Sequence, residues 1–280
     1  MKNFLTRSFT SVFIFIIFAA IVASSFFNIV FELTVALLCA FCVYEAVNAL
    51  GFAKFRFLAL PMIYAFIVPL SFYFAKLCDK SPFYFILIET LIFILLFNVV
   101  AMKNFADVKF SDATSIIFSS VVITVFLSNI ISLRTVDDNG LFYMIITIVC
   151  FAWATDIFAY LVGVLFGKHR FSPNISPKKS IEGSIGGTLF SIAATVGAVY
   201  IYSSIKQVEI NLFLTVVYSF FCSLVGQIGD FSFSYIKRSH GIKDFGKILP
   251  GHGGVLDRLD SLIFISPFFY MLITFESFIA

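Results

Sequence analysis

Apolar runs close to 20 residues long recur along almost the whole chain, separated by short polar turns. Crossing the hydrocarbon of a bilayer takes about 20 helical residues, and inside it every backbone N–H and C=O must be satisfied within the structure. Nine such spans can be placed, at roughly 8–24, 28–48, 57–75, 83–102, 114–133, 141–166, 186–204, 210–228 and 259–278. Charged residues make up only 12%, against about a quarter in soluble domains, and the mean hydropathy is +1.03. The expected fold class is therefore all-α, a polytopic membrane protein of about nine transmembrane helices with no separate soluble domain. Residues 1–135 hold spans one to five; residues 136–280 hold the other spans and two long polar loops, 168–187 and 229–260.

Lysine and arginine are distributed unevenly about these spans. Lys76, Lys80, Arg134 and Lys206 fall on one side, and the other 15 of the 19 basic residues fall opposite. The positive-inside rule then places the N-terminus and both polar loops in the cytoplasm and the C-terminus outside, in a cytoplasmic (inner) membrane. Lys2 and Arg7 precede the first apolar run as in a signal peptide, but no small-residue cleavage site leads into a soluble domain, so an uncleaved first helix is expected. The net charge of +3 is small, and no nucleic-acid partner is expected. Cys39-x-x-Cys42 lies inside an apolar span without a second pair and reads as packing. Glu32 and Glu45 belong to span two, where a carboxylate is costly; both read as interfacial placements or structural contacts.

Chemistry-bearing residues concentrate in the second half. Asp156 lies within span six with Tyr160 one turn later, and a carboxylate there calls for a partner cation or a path for water. Gly163 and Gly167 in the same span make a small-xxx-small ridge suited to close helix packing. The loop 168–187 carries two Ser-Pro pairs, then Lys178, Lys179, Ser180 and Glu182 before a Gly-rich helix entry. Backbone amides at such an entry can bind phosphate.

The stretch 229–260 is denser still. Asp230 stands at the end of span eight, and Asp257 and Asp260 are spaced to share one helix face. Carboxylates converging at a membrane interface repel one another without a cation, and their hard oxygens suit Mg²⁺. Around them lie Lys237, Arg238, Lys243, Lys247 and Arg258, with His240 and His252. Gly253–Gly254 offers amides free of a Cβ clash. Carboxylates, basic groups and a glycine turn together suit phosphoryl or nucleotidyl transfer, where positioning and charge neutralisation do most of the work. A plain solvated loop with Asp257 as a helix N-cap accounts for Asp257 but not for the whole set.

The run Ser234-x-Ile236-Lys237-Arg238, Lys243-Asp244-x-Gly246, Leu249-Pro250-x-His252-Gly253-Gly254-Val255-x-Asp257-Arg258-Leu259-Asp260 resembles the hallmark motif of the phosphatidate cytidylyltransferases, the CDP-diacylglycerol synthases. The resemblance extends to Ser176-Pro177-x-Lys179-Ser180-x-Glu182-Gly183, with Ser180 where the family more often has threonine, and to Asp156 with Ala159-Tyr160. It covers roughly the C-terminal half. It implies a membrane enzyme that joins CTP to phosphatidic acid, forms CDP-diacylglycerol and pyrophosphate, uses Mg²⁺ with a second cation such as K⁺, and works as a homodimer. It also implies metal on Asp230 and Asp257. Asp260, Lys237, Arg238 and His252 are the further catalytic candidates. Substrate-binding candidates are Asp156, Lys178, Lys179, Ser180 and Glu182 on one side of the sequence, and Lys243, Asp244, Gly253, Gly254 and Arg258 on the other. A CTP-dependent polyprenol or phytol kinase would share the setting but release CDP. An ion-coupled transporter would show repeated halves with broken helices, and no internal repeat is visible.

Overall fold

The computed structural model describes residues 19–172, 175–246, 248 and 253–279, leaving aside the side chains of Asn28 and Lys178. The expected first span, 8–24, lies largely outside these residues, as do His252 and the side chain of Lys178. Eight helices among the described residues are long and apolar enough to cross a bilayer. They are α1 (Asn28–Ala49), α2 (Phe55–Leu77), α3 (Pro82–Lys103), α4 (Phe110–Thr135), the continuous span Gly140–Phe166, α7 (Ile181–Lys206), α8 (Leu212–Ser239) and α9 (Leu256–Phe275). The span Gly140–Phe166 consists of α5 (Gly140–Ile146), a π-helical segment (Thr147–Ala154) and α6 (Thr155–Phe166). The protein is a polytopic helical membrane protein. One departure from pure helix is a short antiparallel hairpin, β1 (Arg170–Ser172) with β2 (Ser176–Ser180).

The chain falls into two compact units. The first holds the residues up to Ile131 together with Ile242–Leu259. Within it α1, α2 and α3 follow one another through tight turns. Ser81 caps α3 by accepting the Phe83 N–H, with Pro82 at the first helical position, where no donor is lost. Polar side chains join α2 to α3: the Tyr64 and Thr90 hydroxyls lie 2.8 Å apart, and Ser71 donates to Glu89 at 2.7 Å. Tyr64 also stacks on Phe93 with centroids 4.4 Å apart. Leu87, Leu91 and Leu95 stay exposed along α3, as lipid-facing residues do. On α1 the buried positions Val35, Ala36, Cys39, Val43 and Ala46 follow the helical period, and Glu45 is buried with them. Cys39 and Cys42 are buried free thiols.

The second unit holds Ser132–Gly241 and the chain from Asp260 onward. In the π segment, Ser191 of α7 donates to the Cys150 carbonyl at 2.9 Å. A chain of side chains ties α6, α7 and α8 together: Thr155 donates to Ser223 (3.2 Å), Ser223 to Thr188 (3.1 Å), Gln227 to Thr188 (3.0 Å), and Ser184 to Gln227. Such bonds are the expected glue where water offers no alternative partner. α6 and α7 approach closely through glycine: a Cβ on Gly187 would lie 2.7 Å from the Thr155 carbonyl and 2.9 Å from the Ala159 Cβ. α8 runs 28 residues, well past the expected end near 228. Gly229 does not break it, because the missing Cβ is used for packing: one added there would meet the Asp260 carbonyl at 3.0 Å and Phe264 at 2.8 Å.

Gly187→Val should therefore destabilise the second unit by about 1–3 kcal/mol, the cost of overpacking against backbone. Gly197→Val, at a position with nothing within 4 Å, should leave the apparent melting temperature in detergent unchanged.

Candidate active site

In the second unit the polar hairpin and the extended end of α8 come together. β2 delivers Lys179, whose ammonium pairs with Asp230 and lies 4.2 Å from the centre of the Phe231 ring. Phe171 of β1 packs on the same ring, with centroids 4.9 Å apart. Two turns further along α8, Arg238 Nε donates to the Ile175 carbonyl at 3.2 Å. Both polar stretches thus contribute basic side chains around one helix end.

Ser180 and Glu182 are engaged in building this end. Ser180 is buried and caps α7, its Oγ accepting the Gly183 N–H at 3.1 Å. Gly167 makes room for it: a Cβ there would meet the Ser180 Cβ at 2.9 Å. Glu182, in the first turn of α7, accepts from the Lys168 N–H (3.1 Å) and the His169 N–H (3.2 Å), and lies 2.6 Å from His169 Nδ1. The helix entry is thereby tied to the residues just before β1.

Elsewhere in the second unit two charged side chains are buried. Lys237 is 7% exposed and Asp260 6%. The electrostatic surroundings of Asp260 are set by its burial, by the carboxylates of Asp230 and Asp156 and by the Lys237 ammonium. Asp156 accepts from Ser261 Oγ at 3.0 Å, and Asp260 accepts from the Ser261 N–H at 3.0 Å. Asp156 itself is exposed on α6, among the apolar Ile157, Tyr160 and Leu161 that also face outward. A carboxylate on a lipid-facing helix surface is expensive unless it serves water or a polar ligand.

The first unit holds the remaining candidates. Asp257 is 7% exposed. Its Oδ2 accepts two backbone N–H groups, those of Phe245 and Gly254, each at 2.9 Å. The bonds fold residues 244–246 and 253–254 around the start of α9. Gly253 has φ +85°, a conformation open to glycine at little cost, and a Cβ there would lie 3.1 Å from Asp257 Oδ2. Lys243, Asp244 and Arg258 are exposed around this turn, and Gly254 is buried beneath it. Glu45 reaches the turn from α1: its Oε2 accepts the Leu256 N–H at 2.8 Å. Sequence reasoning set Glu45 aside; the only signal in the sequence was a carboxylate inside an apolar span.

Asp230 and Asp257 both present carboxylate oxygens, the hard donor type that suits Mg²⁺. In the second unit three carboxylates, Asp156, Asp230 and Asp260, share two ammonium groups, Lys179 and Lys237. Among the described residues no three His, Cys, Asp or Glu side chains form a metal cage. Mg²⁺ does not need one, since it is ordinarily held by one or two carboxylates, with waters and substrate phosphates completing its shell.

Residues 5–276 match the cytidylyltransferase family. A phosphatidate cytidylyltransferase of Bacillus subtilis (strain 168) is 33% identical over 230 residues, covering 80% of this chain and 82% of its own. The protein of the same name from Staphylococcus haemolyticus (strain JCSC1435) is 36% identical over 181 residues, 65% of this chain and 66% of that one. Another, from Staphylococcus aureus (strain COL), is 43% identical over 136 residues, 49% and 50% of the two chains.

The cap at Ser180 gives a direct test of the local architecture. Ser180→Ala should cost about 1 kcal/mol, the usual loss for a helix N-cap, read as a lower apparent melting temperature. Ser180→Thr, which keeps the hydroxyl, should hold the wild-type value.

Proposed function

This chain belongs to the cytidylyltransferase family, and on that footing we propose that it makes CDP-diacylglycerol and pyrophosphate from CTP and phosphatidic acid. The observation that carries the reading is the gathering of Lys179, Lys237 and the carboxylates of Asp156, Asp230 and Asp260 at one end of the second unit. Two anionic substrates need cations to meet, and a lipid phosphate needs them at headgroup depth.

In the reaction an oxygen of the phosphatidate phosphate attacks the α-phosphorus of CTP. The new P–O bond forms as the bond from the α-phosphorus to the bridging oxygen breaks, and pyrophosphate leaves with the electron pair. A phosphate monoester carries an ionised oxygen at neutral pH, so the protein has no proton to remove. Lys179, Lys237 and Arg238 bind and orient phosphate oxygens, with Lys178, Lys243 and Arg258 as further phosphate contacts. Asp230 holds Lys179 in place, and its pairing makes that lysine a positioned donor instead of a mobile one. Gly253 and Gly254 allow close approach of backbone to a phosphate. His252, Asp244, Ser180, Glu182 and Asp260 complete the assigned set.

Asp230 and Asp257 are the carboxylates assigned to Mg²⁺, with a second cation such as K⁺ alongside. When bound, Mg²⁺ screens the repulsion between the two anions and neutralises charge on the leaving group. The exposed Asp156 supports entry of the lipid headgroup from the side, because phosphatidate cannot leave the bilayer without wetting its acyl chains. We place the site on the cytoplasmic face of the inner membrane, following the lysine and arginine asymmetry, in an enzyme that works as a homodimer.

The test is turnover of CTP labelled at the α-phosphate with phosphatidic acid in detergent micelles. Labelled CDP-diacylglycerol and free pyrophosphate should appear; release of CDP would instead identify a lipid kinase. Asp257→Asn and Asp230→Asn should each lower kcat by about 10²–10³, the scale for removing a preorganised electrostatic group. Near-normal activity across Mg²⁺ concentrations would overturn the metal assignment. Lys179→Ala should cost about 1–3 kcal/mol in kcat/KM, as loss of a charge-assisted hydrogen bond does.

A further inference from the structure

We propose that Glu45 is a positioning residue of this reaction, holding the glycine turn and the first turn of α9 so that Asp257 presents its carboxylate in one orientation. The proposal rests on the function and metal assignment given above. It comes from a contact spanning 211 positions of sequence: Glu45 Oε2 accepts the Leu256 N–H at 2.8 Å. Leu256 opens α9, and its N–H is one of the donors that no helical carbonyl can satisfy. Asp257, the next residue, is thus held from two directions. Its own Oδ2 gathers the Phe245 and Gly254 amides, while Glu45 fixes the backbone immediately before it.

The glycines around this contact match the role. A Cβ on Gly254 would lie 2.6 Å from Glu45 Oε2 and 2.8 Å from Oε1, and one on Gly246 would collide with Oε1 outright. Any larger residue at either place would push the carboxylate away. Glu45 is 1% exposed, and its Oε1 has no hydrogen-bond partner among the described residues. Burying a carboxylate is costly, and packing alone would be served better by leucine or methionine. The turn needs an acceptor oxygen at this point, and among the described residues Glu45, reaching from α1, supplies it.

Three variants of the full-length enzyme test this, each assayed for kcat, KM for CTP, apparent melting temperature, Mn²⁺ binding by electron paramagnetic resonance without substrates, and hydrogen–deuterium exchange of the peptide 244–258. Glu45→Gln keeps an acceptor oxygen at the same reach. Glu45→Asp draws it back by one methylene, and Glu45→Ala removes it. The Asp and Ala variants should lose about 10–100-fold in kcat and in Mn²⁺ affinity, the scale for losing an outer partner of a metal ligand, with KM for CTP nearly unchanged. Their 244–258 peptide should exchange faster. Glu45→Gln should stay close to wild type in every readout, and Glu32→Gln, on the same helix about 20 Å away, serves as a control for loss of a buried carboxylate. Unchanged exchange in Glu45→Ala would overturn the anchoring contact. Faster exchange with unchanged kcat and Mn²⁺ binding, or a Gln variant as impaired as Ala, would overturn the positioning role. Absence of CTP and phosphatidate turnover in the wild type would instead strike the functional reading, while the exchange data would still judge the anchor.

Discussion

A charge taken out of water must find an opposite charge or a set of hydrogen bonds, and in hydrocarbon the penalty for failing is several kcal/mol. Each unit of this protein answers that demand where its polar sequence enters the bundle. In the second, the Lys237 ammonium is buried near Asp260, and Lys179 is paired with Asp230. In the first, Asp257 and Glu45 draw on backbone N–H groups. These arrangements do not maximise stability; apolar residues of similar volume would often be as stable. They hold charged groups in fixed positions.

Neutral hydrogen bonds play a complementary part. The chain of hydroxyls and amide formed by Thr155, Ser223, Thr188, Gln227 and Ser184 fastens α6, α7 and α8 to one another. Close packing at Gly187 removes the freedom of α6 and α7 to slide. A rigid support of this kind matters for phosphoryl chemistry, where displacement of a binding group by about 1 Å can cost two orders of magnitude.

Much of this was legible in the sequence, and for a clear reason. Hydrocarbon thickness imposes a length on every span, so the helices from Asn28 to Phe275 lie close to where hydropathy alone puts them. Legibility fails where tertiary contacts decide. The Gly229-Asp230 pair looks like a helix end, yet α8 continues to Ser239 because Gly229 is packed against α9. The hairpin at 170–180 has strands of three and five residues, too short and too polar to show an alternating pattern. The local bonds of Ser180 and Glu182, which cap α7 and bind the amides of 168 and 169, are likewise set by how the hairpin folds back and not by any pattern in the sequence. Glu45 is the plainest case, since its partner amide lies 211 positions away and no local pattern points to it.

The length of α8 carries a consequence of its own. At 1.5 Å per residue its 28 residues extend about 42 Å, roughly 12 Å more than the hydrocarbon of a typical bilayer. Along the helix, Asp230 lies about 27 Å and Lys237 about 38 Å from Leu212, so with Leu212 at one edge of the hydrocarbon Asp230 would stand near the other edge and Lys237 beyond it. On the function proposed above, the helix acts as a ruler laid across the membrane: it sets the height at which lysine and aspartate would meet a lipid phosphate. That height is defined relative to the opposite leaflet, so the thickness of the surrounding bilayer becomes a variable of the chemistry. In a thinner membrane the phosphates sink below the charged residues, and in a thicker one they rise past them, unless α8 tilts to restore the match.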